Sequence, residues 1–467
     1  MQLTRRRSGL TAASLLATAS LLMAAQGAAG QEPTKFEAKL VGHAALPAST
    51  FVPPPTDAPS LFATSGKYTG PGNLRDDSLY SREGQTWLSD PDAPRKTGLF
   101  LPFTGQPIQG FSGIKTLGDG EFLVLIDNGF GNKANSPDAM LMALRVRPDF
   151  ETGRVELIDT IFLSDPDGVV PFRIVTEATE TRYLTGGDFD LEGIQPVGDL
   201  IWFGDEFGPY IFATDLEGRV VRFLETEVEG EIVKSPDHYS LSLPATPDGT
   251  VDFRVRRSRG FEGMAQTMDG RFLRPMFEAP LWDAETGDWE RHEGRQFLRI
   301  IELDVETGSF TGNQWRYALE ADGHNIGDFN MISDTLALVI ERDGNEGDPR
   351  LACDGTVTPE CFNAPAQFKR VYLVDFSQTD AEGTVAKLGY VDLLDIADPD
   401  GVALSGTIDG IFTFPFVTIE DVDLVDDRHI IVANDNNLPF STGREIGTAD
   451  NNEFILLEVA DLLAPLR

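Results

Sequence analysis

In the stretch "DFDLEGIQP", residues 188–196, Asp188, Asp190 and Glu192 occupy alternate positions before Gly193. Thirteen residues after Glu192, the apolar run in "IWFGDEFGP" ends in Asp205 and Glu206. In an antiparallel hairpin the start of the first strand and the end of the second lie at the same end, so Glu192 is expected near Asp205 and Glu206. Two like charges 4 Å apart repel by about 1 kcal/mol in water and about 4 kcal/mol at an effective dielectric of 20. Such a group can bind a cation, pair with Arg or Lys, or keep protons through raised pKa values.

The pattern returns along the chain at intervals of about 65 to 95 residues, which marks a repeat architecture. "GFSGIKTLGDGEFLVLIDNGFG" opens on Ser112-Gly113 and ends its second strand at Asp127. "GFEGMAQTMDGRFLRPMFEAPL" carries Glu262 and Glu278, "IGDFNMISDTLALVIERDGNEG" carries Glu341, and "TIEDVDLVDDRHIIVANDNNLP" carries Glu420 and Asp435. Each hairpin is followed by a second one, such as "LRVRPDFETGRVEL" or "FLRIIELDVETGSF", except that the last module stops one strand short.

Four antiparallel strands per module predict an all-β chain, read as a β-propeller of five or six four-stranded blades. The N-terminal segment "KFEAKLVGHAAL" is the expected strand that fills the empty place in the C-terminal blade and closes the ring. Residues 47–110, rich in Pro and Gly, are either a long connection or a sixth, divergent blade. The competing reading is a β-sandwich or two separate β-domains. With 46 Gly and 29 Pro, short elements joined by turns are favoured over long helices.

If the inner strands run alike, the blades deliver Asp127, Asp205, Glu206, Glu262, Glu278, Glu341, Glu420 and Asp435 to one channel mouth beside Glu192. Hard carboxylate oxygens and only five histidines favour Ca²⁺ over zinc or copper, with Asn128, Asn434, Asn436 and Asn437 as neutral oxygen donors. The expected metal ligands are Glu192, Asp205, Glu262, Glu278, Glu341, Glu420 and Asp435. Asp188 and Asp190 have no counterparts in the other modules and stand outside this set. The bland reading of each carboxylate alone is a turn residue bonded to backbone N–H groups.

The first 30 residues have a basic start (Arg5, Arg6, Arg7), an apolar stretch and small residues up to Gly30, which reads as a secretory signal peptide. Its removal takes three Arg and no acid, moving the formal charge from -37 to -40. Such a chain repels nucleic acid and anionic membranes and attracts cations. No later stretch approaches 18 apolar residues, so no membrane span is expected. The mature chain, residues 31–467, is read as one exported, monomeric domain, periplasmic or secreted, with an insertion at 346–366. Cys353 and Cys361, with seven residues between them, are expected to form a disulfide in that compartment, worth roughly 2 to 3 kcal/mol in the chain-entropy picture.

Other motifs carry little. "GFGNKA" at 129–134 matches a dinucleotide-binding pattern but is followed by Pro137. No G-x-S-x-G elbow is present, and the histidines lack metal-ligand spacing, leaving His324 as a weak acid/base candidate.

The ordered series "GQPIQGFSGI", "GGDFDLEGIQP", "WFGDEFGPYI", "RGFEGMAQ", "VIERD" and "ANDNN" resembles the phytase-like family known for "esterase-like activity of phytase", from about Gln106 to Asp461. The resemblance implies an exported hydrolase of phosphoric or other esters acting on a small anionic substrate, and it assigns no catalytic set. The roles therefore come from strand geometry: Glu206 or Asp127 to position or deprotonate water beside Ca²⁺, and Arg259, Arg342 and Lys369 to clamp the anion. The alternatives are a metal-dependent lactonase or carboxyl-esterase, and a non-catalytic propeller with structural calcium. Ser112 in the first module and Gly327-Asp328 in the fourth depart from the Glu-Gly opening, so the ring of acids is not symmetric.

Overall fold

Apolar runs of four to six residues, rich in Val, Ile and Phe and bounded by Gly-containing turns, dictate short strands buried on both faces. The computed structural model describes residues 32–67 and 74–467, which are all-β, with helix confined to short 3₁₀ turns. The signal-peptide reading of residues 1–30 lies outside the described residues. No helix among the described residues is long and apolar enough to cross a membrane.

The first strand, β1, is Thr34–Leu46. Four consecutive antiparallel strands then form module one: β2 Phe111–Gly118, β3 Glu121–Ile126, β4 Met142–Asp149 and β5 Arg154–Phe162. Module two is β6 Leu191–Val197, β7 Leu200–Asp205, β8 Tyr210–Thr214 and β9 Val220–Glu225. Module three is β10 Phe261–Gln266, β11 Phe272–Phe277, β12 Arg295–Asp304 and β13 Ser309–Ala318. Module four is β14 Asn325–Met331, β15 Leu336–Arg342, β16 Lys369–Thr379 and β17 Val385–Ala397. Module five has three strands of its own, β18 Thr418–Leu424, β19 His429–Asp435 and β20 Asn452–Glu458.

Its fourth strand is β1, which pairs antiparallel with β20 from Lys39↔Glu458 to Leu46↔Asn452. β1 also runs parallel to β17 and touches β5 at Ala45↔Arg154, so modules one, four and five share one 14-stranded mixed sheet. The hydrogen-bonded sheets are open, and besides the β1 ladders and isolated bridges such as Ser164↔Arg219 and Arg316↔Thr384, side-chain packing joins consecutive modules. Residues 47–110 supply three short two-stranded pairs among the described residues rather than a four-stranded module.

Alternation along each second strand explains that packing, because successive side chains enter different cores. On β3, Leu123 and Leu125 pack with module two, while Phe122 and Val124 pack with module five. On β7, Ile201 and Phe203 face module one while Trp202 faces module three. Ala337 and Val339 of β15 join module three, whereas Leu338 and Ile340 join module five. The same split on β19 sends Ile430 and Val432 towards module four and Ile431 towards module one. Each large side chain so buried stabilises by roughly 1.5 to 3 kcal/mol. First strands are likewise adjacent in cyclic order: β2 to β6, β6 to β10, β10 to β14, β14 to β18, and β18 to β2.

The Glu-Gly openings follow from that proximity. A Cβ at Gly193 would lie 3.0 Å from Met264 Cβ, and one at Gly263 would lie 2.9 Å from Phe329 Cβ and its backbone N. Only glycine lets neighbouring first strands come this close. Asn330 ties four first strands, its own included: its amide donates to Ile114 O and Val422 O, while its Oδ1 accepts from Gln195 at 2.9 Å.

Candidate functional site

Every first strand breaks register with its partner near its start: between Phe111 and Ile114, Leu191 and Gly193, Phe261 and Gly263, Ile326 and Phe329, and Thr418 and Asp421. A bulge inserts one residue and re-aims its side chain. Glu192, Glu262 and Glu420 sit at these breaks, which turns what would be ladder positions into carboxylates pointing at a common space. Asp127, Glu206, Glu278 and Asp435 arrive there from the ends of the second strands or one residue beyond.

Two groups of three result. Asp127, Asp190 and Glu192 each offer an oxygen within 4.8 Å of the other two, and Glu206, Glu262 and Glu278 do the same. All but the partly open Asp127 are buried. Arg259 donates to Glu278, and Arg342 donates to Glu420 and, at 3.4 Å, to Glu262. Asp127, Asp190, Glu192, Glu206 and Asp435 have no ion-pair partner among the described residues, and the buried Glu206 Oε1 has no hydrogen-bond partner.

Desolvation raises Asp127, Asp190, Glu192, Glu206, Glu262, Glu420 and Asp435, and repulsion from neighbouring carboxylates adds to it. Glu192 is pushed well above the usual range by burial and then by Glu262, Glu420 and Asp190. Glu206 is raised by burial, Glu278 and Asp190, and Asp127 by its depth, Asp435 and Asp190. Burial and Glu420 bring Asp435 to about 8, while Asp190, relieved by the Asn128 amide, stands at about 6. For Arg259 the Glu278 charge outweighs the cost of burial and its pKa rises.

Several expected residues are placed elsewhere. Glu341 points away from the shared space into its own buried network, accepting from Tyr317 Oη at 2.9 Å, Lys387 Nζ at 2.7 Å and His324 Nδ1 at 2.9 Å. Successive side chains on β15 face opposite ways, so Arg342 occupies the direction assumed for Glu341. Burial would raise Glu341, yet Lys387 and the His324 hydrogen bond bring it down to about 2. Asp205 spends both oxygens on backbone donors, the Asp190 N–H at 2.9 Å and the Gly208 N–H at 2.7 Å. Lys369 is fully enclosed, donating to Asp343 O and Val417 O beside the Asp343 carboxylate, with its pKa drawn to about 8 by burial. The asparagines serve the fold: Asn434 bonds Asn451 O and the Glu453 N–H, and Asn436 Oδ1 accepts from Gly110 N.

Two residues were not in the expected set. Asp190 belongs to the first group although its type recurs in no other module; alternation with Glu192 was the signal. Asp188, by contrast, caps the Val175 and Thr185 N–H groups. Lys133 holds its ammonium 5.3 Å from the ring centre of Phe207, the residue after Glu206, and offsets a little of the burial that raises Asp205 to about 7. Nothing in the spacing of "GFGNKA" pointed to it.

Cys353 and Cys361 are joined by a disulfide in the insertion. Glu346, at the start of that insertion, receives Thr86 Oγ1, Arg95, Ser441 Oγ and the Thr442 N–H, which fastens residues 82–97 and 436–450 to module four.

Repeated strand modules thus bring acidic strand ends into one buried, oxygen-rich space of an all-β protein. The chain belongs to the phytase-like family, described as "Esterase-like activity of phytase", which matches residues 106–438. It is similar to an uncharacterized secreted protein of Arthroderma benhamiae, 26% identical over 184 residues. That match covers 32% of this chain and 35% of the relative, so the chain spans about a third of the length of that curated relative. Among solved structures it is similar to a luciferin-regenerating enzyme, with 9% identity, TM-score 0.34, and coverage of 91% of this chain and 95% of that one. A putative 6-phosphogluconolactonase of Bacteroides fragilis NCTC 9343 has 11% identity and TM-score 0.27, covering 77% of this chain and 90% of that one. At these scores the functional reading rests on the family and on the site.

Proposed function

We propose that the five modules are the blades of one β-propeller closed through β1, and that its acidic mouth is the active site of an exported, cation-dependent ester hydrolase acting on small anionic esters. The cyclic order of cores and first strands supports the architecture, the family supports the chemistry, and the disulfide fits an oxidising compartment. The observation that carries the functional reading is the pair of three-carboxylate groups, buried and mostly without cationic partners, with Glu206 Oε1 unsatisfied.

This donor set suits a hard divalent cation such as Ca²⁺: every available ligand atom is oxygen, and no histidine or thiol joins either group. Asp190 and Glu192 of the first group, or Glu262 and Glu278 of the second, would hold it. When bound, such a cation neutralises the carboxylates and draws electron density from the ester oxygen. Asp127, partly open but raised by burial and then by Asp435 and Asp190, is placed to take a proton from water entering the mouth once a bound cation has favoured its ionised form. Glu206, kept protonated by burial and its acidic neighbours, is placed to return a proton to the leaving oxygen. Arg259, partly exposed, and Lys133 steer an anionic group into a mouth that would otherwise repel it. Arg342 stays buried and holds Glu262 and Glu420 in position.

The test is hydrolysis by the purified chain of phytate, simple phosphomonoesters, phosphodiesters, acyl esters and lactones, with calcium and with chelator. Cation-dependent turnover of a phosphoric or acyl ester is expected. Turnover that survives chelation would remove the cation from the scheme, and no turnover of any ester would remove the hydrolase.

A further inference from the structure

The loops that leave the two outlying acids of the mouth both climb to the same place. The segment after Asp127 brings Phe130, Gly131 and Asn132, and the segment after Asp435 brings Phe440, to a pocket of about 310 Å³. Its remaining lining comes from residues 82–87, the stretch fastened down by Glu346. Trp87 and Phe440 form one wall, ring centres 5.8 Å apart and planes inclined by 34°. Phe130, fully buried, stacks on Phe103 at 6.4 Å and makes the floor. Trp87 itself is 52% exposed, a large apolar surface left open beside an acidic site.

We infer that this pocket is a subsite for an aromatic ring carried by the ester substrate. The inference rests on the hydrolase reading for the word substrate, but its geometry stands independently. The floor is tied to the carboxylates by two hydrogen bonds in series. Phe130 N–H donates to Asn128 Oδ1 at 3.1 Å, and Asn128 Nδ2 donates to Asp190 Oδ1 at 2.7 Å. A ligand seated on Phe130 therefore has a fixed relation to the first acidic group.

The chemistry of the lining selects the occupant. About 150 Å³ of apolar space admits benzene, and pockets of about 300 Å³ sit at the small end of ligand sites, so a single ring with its linkage fits and a fused polycycle does not. Aromatic walls gain from offset or edge contacts about 0.5 to 1.5 kcal/mol beyond the area buried. A polyphosphorylated polyol has no apolar face to offer Trp87, Phe130 and Phe440, while Arg82, beside a Glu83 already paired with Lys96, leaves room for one anionic group. The favoured ligand is therefore an aryl ester with one anionic group, its ring between Trp87 and Phe130 and its charged end towards Lys133 and Arg259.

Calorimetric titration of the calcium-loaded full chain with phenylphosphonate and methylphosphonate tests this without turnover. Phenylphosphonate is expected to bind at least about tenfold more tightly, the equivalent of about 1.4 kcal/mol. Trp87→Ala and Phe440→Leu are expected to reduce that preference to about threefold or less while leaving methylphosphonate affinity unchanged. Equal affinities, no binding of either phosphonate, or a preference that survives both substitutions would overturn the subsite. A Trp87-dependent preference in a chain that hydrolyses no ester would leave the subsite standing and remove the hydrolase. Hydrolysis with no aryl preference would do the reverse.

Discussion

His43 on β1 donates through Nε2 to Glu453 Oε2 on β20 at 3.0 Å, joining residues 410 apart in sequence. The Leu404 N–H donates to His43 Nδ1 at 3.1 Å, which places the ring proton on Nε2 and lets a neutral imidazole make both bonds. Arg444 Nε completes the joint on both Glu453 oxygens, at 3.0 and 3.2 Å. The strand that supplies the last module with its fourth place is thus held by a buried charge cluster as well as by its ladder.

That cluster predicts how the fold fails in acid. Burial alone would raise Glu453, but Arg444 and then His43 bring it from 4.5 to about 2. The native state thus keeps the carboxylate ionised where the unfolded chain protonates. Its contribution is fully present above pH 4.5 and is lost as pH falls to about 2, on the order of 3 kcal/mol. Urea unfolding followed by circular dichroism should show wild-type stability falling across that window. Glu453→Gln should flatten that component and cost about 3 to 5 kcal/mol at pH 7, because Arg444 loses its buried partner. An unchanged midpoint at pH 7 would show that the joint contributes nothing.

The acidic mouth predicts the opposite slope. Asp190, at about 6, and Asp435, at about 8, are raised above their ordinary 3.8 by burial first, so the native state holds protons that the unfolded state has released. In chelator, stability should therefore fall as pH rises from about 4 to 8. Calcium should restore most at the alkaline end, where the carboxylates are ionised, and little near pH 5. Melting temperatures in chelator and in calcium across this range check it; a calcium gain independent of pH would place the ion elsewhere.

The contrast between Glu192 and Glu341 shows what the sequence could reveal. Glu192 was legible because Glu-Gly recurs at Glu262-Gly263 and a Glu, Glu420 before Asp421, stands in the equivalent place of the last module, and the order of hairpins was legible from the same repeat. Glu341 also closes its second strand, but the side it faces depends on a register that spacing alone does not give, and Arg342 takes the inward position. Asp190 was hidden for the converse reason: a repeat identifies what its copies share, and this residue is unique to one module. Lys133 reaches Phe207 through a loop, where no periodicity operates.

Close approach of the first strands makes Gly263→Ala a packing test. The new methyl would meet Phe329 Cβ and its backbone N at 2.9 Å, and the neighbouring strand must shift because backbone is involved. A loss of about 1 to 3 kcal/mol is expected. Because Glu262 is adjacent, hydrolysis should fall more than stability does. Gly287→Ala, where a Cβ meets nothing within 4 Å although φ is +69°, gives a control in which only backbone strain acts and the mouth is untouched. Equal activity in the two variants would separate strand spacing from the site.

Glu206→Gln and Glu341→Gln separate chemistry from architecture. Glu206 is held in its protonated form by burial and then by Glu278, Asp190 and Glu262, with one oxygen bonded to nothing, so a neutral amide of the same shape changes little charge and should leave cation-free stability about equal. If it supplies a proton to the leaving group, the same change should lower kcat by about 10²- to 10⁴-fold. Glu341 has Lys387, His324 and Tyr317 satisfied around it, so its amide variant breaks a buried ion pair and should cost about 3 to 5 kcal/mol. Its kcat, measured well below the lowered melting point, should stay within a few-fold of wild type. Parallel melting curves and rates decide: a Glu206→Gln chain that is destabilised and fully active would move that carboxylate from the reaction to the scaffold, and Glu341 is the residue against which to judge it.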